Sequence, residues 1–83
     1  MPRFLDMHTV PPGTSPDEVA EAHRKDLAIQ EQYGVRYLKY WYDAATGKLF
    51  CLVDAPSTEA AIAVHRHAHG QLADEIFEVQ EFE

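Results

Sequence analysis

The chain holds a single cysteine, Cys51, in 83 residues. No internal disulfide can form, and no CxxC zinc knuckle is available. The four glycines stand apart, so there is no GxGxxG or GxxxxGK[ST] loop to cradle a phosphate. HExxH and EF-hand loops are also missing. Basic residues are scarce, 7 against 14 acidic ones, for a net charge of −7. That balance repels phosphate backbones and anionic lipid headgroups, which argues against nucleic-acid or membrane-surface partners and would draw cations. No run approaches the roughly 18 apolar residues of a membrane span. Residues 1–15 lack the basic and apolar regions of a signal peptide, so a cytoplasmic protein is expected.

What remains is a chain that is 46% hydrophobic. It is long enough for one domain over residues 1–83, too small to bury more than about 60% of its unfolded surface, and therefore a candidate for oligomerisation.

The hydrophobic period changes along the chain. Arg3–Val10 alternates as a strand, with Leu5, Met7 and Thr9 on one side and Phe4, Asp6 and His8 on the other. Pro11-Pro12-Gly13 ends it. Ser15-Pro16-Asp17-Glu18 is a capping box with Pro at the first helical position, and it predicts a helix over Pro16–Tyr33 closed by Gly34. Val35–Asp43 and Lys48–Asp54 read as a hairpin around Gly47. Ser57 caps a second helix over about Thr58–His69, closed by Gly70. Ile76–Phe82 is a last strand. This β-α-β-β-α-β order predicts an α+β, ferredoxin-like sandwich: a four-stranded antiparallel sheet with strands one and three central and both helices on one face.

Both registers of the hairpin carry bulky residues. Tyr37 and Trp41 fall on one side, and Leu38, Tyr40 and Tyr42 on the other. An open apolar sheet face usually marks an interface, so a homodimer is expected. Solvated Tyr and Trp with their polar tips outward would be the alternative.

Several polar residues stand where a core should be. On the first helix Val19, Ala22, Ile29 and Tyr33 make an apolar stripe, and His23, Asp26 and Gln30 fall inside it. A buried Asp must be paired or hold a cation. On the second helix Ala61, Val64 and Ala68 define the buried stripe. His65 and His69, at i and i+4, flank and border it, while His67 points away. Such a pair can chelate one divalent metal, or it can serve a helix C-terminus as cations. Imidazole binds metal only when neutral, so protons compete near a pKa of about 6.5.

Asp6 and His8 share a face of strand one. Strand three, which carries Cys51, lies beside it in the expected sheet. Carboxylate, imidazole and thiolate suit nickel, zinc, cobalt or copper rather than calcium or magnesium. A buried Cys51 acting only as a small hydrophobe is the alternative.

The residues then resemble a family. Ala22-His23…Asp26, Tyr33-Gly34-Val35, Tyr40-Trp41…Asp43, Gly47…Phe50-Cys51-Leu52…Ala55-Pro56 and Val64-His65…His69-Gly70 are similar to blocks of a family of small bacterial proteins long catalogued as a domain of unknown function and now named for nickel binding. The resemblance covers nearly the whole chain, including Asp6 and His8. It implies a ferredoxin-like fold, a homodimer, and nickel bound at histidine-containing sites, with a role in nickel sequestration. His23, Asp26, Cys51, His65 and His69 match the family pattern; His67 does not. The metal candidates are thus His65, His69, His23, Asp26, His8, Asp6 and Cys51, with nickel the expected ion and no catalytic residue implied.

A second class of function fits the same fold. A cofactor-free monooxygenase or isomerase, or a ligand-sensing module, would place His23 and Asp26 in a pocket of a few hundred cubic ångströms walled by Trp41, Tyr37 and Phe50.

Overall fold

The elements run β1 (Arg3–Thr9), α1 (Pro16–Ile29), a 3-10 turn (Gln30–Tyr33), β2 (Arg36–Asp43), β3 (Lys48–Asp54), α2 (Thr58–Ala68) and β4 (Glu75–Glu78). They are seen in a computed structural model that describes residues 1–83. The sheet order is β2-β3-β1-β4 with every pair antiparallel, which is the ferredoxin-like arrangement expected. No helix is long and apolar enough to cross a membrane.

The local signals act as read. Ser15 accepts from the Glu18 backbone N–H and the Glu18 carboxylate accepts from the Ser15 N–H, so the capping box closes around Pro16. Ser57 caps α2 by accepting from Ala60. The first helix tightens after Ile29 into the 3-10 turn, and Gly34 ends it in the left-handed region at φ 67°. Gly47 is obligatory in the hairpin, because a Cβ there would lie 2.0 Å from the Val10 carbonyl oxygen.

Two strand expectations need correction. The last strand spans Glu75–Glu78, not Ile76–Phe82. Its partner β1 begins at Arg3, so no strand residue stands opposite the chain beyond Val79. Past Glu78, Val79 donates to the Arg3 carbonyl and the regular ladder stops. In β2 the pairing with β3 shifts between Tyr37 and Lys39. This bulge adds one residue to the alternation, so Tyr37, Tyr40 and Tyr42 face the helices while Lys39 and Trp41 face outward. Tyr37 and Trp41 therefore lie on opposite sides of the sheet.

The core lies between the sheet and the helices. Phe4, Val19, Val35, Tyr37, Leu49, Cys51, Val53, Ala55, Ala61 and Val64 form it, with Val53, Ala55, Ala61 and Val64 fully buried. The outer face is also apolar. Leu5 stands between Leu52 and Phe77, and Phe50 between Met7 and Trp41. Leu5, Trp41, Phe50 and Leu52 line an open groove of about 450 Å³, with Arg3, Lys39 and Glu81 at its rim.

Candidate metal centre

Four polar side chains sit inside the core: Asp6, His8, Asp26 and His65, each at most 4% exposed. Alternation in β1 turns Asp6 and His8 toward the helices beside Phe4. Val19 and Asp26 are the buried residues of α1, two turns apart on one face. On α2, Ala61, Val64 and His65 point down together, and the small Ala61 lets the helix approach the sheet. His65 thus lies inside the stripe that it was expected to flank.

Its imidazole is the centre of a network. Nδ1 lies 2.9 Å from Asp26 Oδ1, and Nε2 lies 3.0 Å from Asp6 Oδ2 and 2.8 Å from the Tyr37 hydroxyl. The Tyr37 hydroxyl also reaches the Ala61 carbonyl at 3.2 Å and Asp6 Oδ2 at 3.3 Å. His8 Nε2 lies 2.8 Å from Asp6 Oδ1, and the His8 ring meets the His65 ring edge-on at 4.7 Å. One turn along α2, His69 Nε2 lies 3.1 Å from Asp26 Oδ1. Its Nδ1 accepts from the Gln71 backbone N–H at 3.1 Å. No buried side-chain polar atom is left without a partner.

Charge follows from this geometry. Burial by itself disfavours an imidazolium, yet the carboxylates of Asp26 and Asp6 outweigh it and raise the His65 pKa to about 9. Burial would lift the Asp6 carboxyl, but hydrogen bonds from His65 and His8 bring it down to about 2. Against the same opposing burial, His65 and His69 hold Asp26 below the usual carboxylate range. The Tyr37 hydroxyl and the Cys51 thiol are pushed far up by burial, reinforced by the Asp6 charge. Burial lowers the His23 pKa.

The candidates from the sequence therefore fall into two groups that share His65. Asp26, His65 and His69 bring ligand atoms within 4.8 Å of one another, and so do Asp6, His8, Cys51 and His65. Asp6 and Cys51 are direct cross-strand partners. His23 joins neither group: its ring rests on Tyr40, with centroids 4.8 Å apart. His67 is exposed and contacts Tyr33, as its helix phase requires. Tyr37 is the polar member that strand alternation tied to Trp41, and the bulge that follows it puts the two on opposite faces.

A cleft of about 20 Å³ opens onto both groups, lined by His8, His23, Asp26, Cys51, His65 and His69 among others. This is room for about one water molecule or one bare ion. It is far below the roughly 300 Å³ of a small-molecule pocket. The expected enzyme pocket is also missing two walls, since Trp41 and Phe50 lie across the sheet. Two imidazole nitrogens and a carboxylate oxygen match the preferences of divalent first-row ions, nickel included. Asp26, His65 and His69 would hold such an ion. Its coordination there would need His65 Nδ1 free of its proton, with Nε2–H still anchored on Asp6, and the His69 proton moved from Nε2 to Nδ1, which gives up the bond from the Gln71 N–H.

Fold and cluster together define a class: a small ferredoxin-like domain with a buried histidine–carboxylate centre. The chain belongs to the SCO4226-like family, described as nickel responsive protein SCO4226-like, whose model matches residues 4–79. It is similar to the crystal structure of SCO4226 from Streptomyces coelicolor A3(2), with 38% identity and a TM-score of 0.91 over 98% of this chain and 99% of that one. No curated protein matches.

Proposed function

We propose that this is a cytoplasmic protein that binds a divalent transition metal, nickel, through Asp26, His65 and His69, and that it serves to sequester the ion. The observation that carries this reading is the convergence of His65 Nδ1 and His69 Nε2 on one oxygen of Asp26, at 2.9 and 3.1 Å, beside a cleft of one-ion size. The nickel-responsive name of the family supports the choice of metal. Ligand affinity does not supply that selectivity, because copper outranks nickel at most nitrogen sites; metal supply would set it. We further propose that the chain works as a homodimer joined through the outer sheet face, where Trp41 and Phe77 are about half exposed. The reduced, lone Cys51 accords with a cytoplasmic location.

The test is elemental analysis of protein purified without a histidine tag, followed by equilibrium dialysis against Ni²⁺. Retention of about one nickel per chain, reduced by Asp26→Asn, is expected. Retention of none by the wild type would overturn the reading.

A further inference from the structure

The inner group is not used by the nickel site except through His65. Asp6, His8, Cys51 and His65 are all buried, at 1%, 4%, 5% and 2% exposure, and offer oxygen, two nitrogens and sulfur. Two central strands and α2 supply them, so the donors sit on rigid elements. We propose that these four side chains form a second, closed metal site for a thiophilic tetrahedral ion of the zinc(II) class.

The chemistry differs from the outer group in two respects. All four ligands come from the chain, which is the pattern of closed four-coordinate sites, whereas Asp26, His65 and His69 leave a position open. Sulfur also shifts preference toward zinc and cobalt and away from hard ions.

The dimensions are compatible. Metal–nitrogen and metal–oxygen bonds of about 2.0–2.1 Å put neighbouring ligands roughly 3.3 Å apart in a tetrahedron. The two Asp6 oxygens lie 2.8 Å from His8 and 3.0 Å from His65, and the four donors all lie within 4.8 Å of one another, a spread that closing around one ion would tighten. The one-ion cleft that touches His8, Cys51 and His65 supplies a way in.

His65 presents Nε2 inward and Nδ1 outward. A neutral imidazole has a single lone pair, so the two sites compete for it. Zinc in the inner site should weaken nickel binding at the outer one.

The experiment is titration of the reduced, metal-free full chain with Co²⁺ as the spectroscopic probe. It compares wild type, Cys51→Ser and His69→Ala. The wild type should develop a sulfur-to-cobalt charge-transfer band in the near ultraviolet together with intense tetrahedral ligand-field bands, and Zn²⁺ should bleach both. Cys51→Ser should lose the near-ultraviolet band; His69→Ala should keep it.

X-ray absorption of the zinc-loaded wild type needs no variant, and should show one sulfur at about 2.3 Å. A shell of nitrogen and oxygen alone, or an unchanged band in Cys51→Ser, would overturn the proposal. Nickel binding lost in His69→Ala with no sulfur signal in any complex would leave the outer-site reading standing and sink this one. A sulfur band alongside nickel binding that ignores His69→Ala would do the reverse.

Discussion

His65 is caught between two carboxylates, and that fixes how protons and metal compete. Its folded pKa of about 9 lies above the unfolded value of 6.5. The His65 contribution to stability is therefore complete below pH 6.5 and is lost as pH rises through 9. Asp6 works in the opposite direction: its folded value of about 2 lies below 3.8, so its contribution holds above pH 3.8 and fades as pH falls toward 2. Metal-free protein should melt highest between about pH 4 and 6.5, and thermal scans should show a decline toward pH 9 that His65→Gln flattens. The same shift moves the metal competition upward from the imidazole range expected from the sequence. Each nickel bound at pH 7–8 must expel the His65 proton, so affinity should rise about tenfold per pH unit across that window. A pH-independent affinity there would place the ion elsewhere. Asp26 is the partner that both histidines of the outer group share. Asp26→Ala leaves a buried cation with one carboxylate fewer, and should cost about 3 kcal/mol in chemical denaturation. A loss below about 0.5 kcal/mol would mean that the pair is not formed.

The elements aim these side chains, and the caps hold the elements. Ser57 fixes the start of α2 two turns before His65. Ser57→Ala should cost about 1 kcal/mol. A fraying helix would also loosen His65 and His69, so nickel affinity should drop with it; unchanged affinity at the expected stability loss would mean that the site does not depend on the α2 start. The elements were also the part most open to reading from sequence. Ser15, Pro16, Gly34, Gly47 and Ser57 each satisfy a backbone requirement local to a few residues, and each acts where expected. Local sequence is silent where a distant partner decides. The bulge in β2 depends on pairing with β3, so strict alternation put Tyr37 and Trp41 on the same side. The length of β4 depends on where β1 begins, which Val79 and Phe82 cannot signal. For the site, helix phase marked His23, Asp26 and Gln30 as anomalous and paired His65 with His69 beside the second stripe, and strand alternation put Asp6 and His8 on one face. That Asp26 pairs with His65 and not with its own neighbour His23 is a tertiary fact, set by how α1 lies against α2.

At the scale of the whole molecule, one face of the sheet carries the centre and the other is open and apolar. Phe77 is 50% exposed and Trp41 49%, in a chain whose small size leaves little hydrophobic stabilisation to spare. The proposed dimer would cover both. Light scattering at micromolar concentration should give the mass of two chains, and Trp41→Asp should shift it to one, because burying a carboxylate against its own copy is costly. A wild-type monomer at that concentration would remove the interface argument. The metal centre lies on the helix side, so Trp41→Asp should leave nickel affinity unchanged.

The most direct test of the outer centre is calorimetric titration of the metal-free chain with Ni²⁺ in a non-chelating buffer at pH 8, repeated with Asp26→Asn, His69→Ala and the exposed control His67→Ala. One ion per chain is expected for the wild type and for His67→Ala, with affinity lowered at least tenfold in the other two. Equal heats and affinities in all four proteins, or a loss confined to His67→Ala, would contradict the outer-site reading.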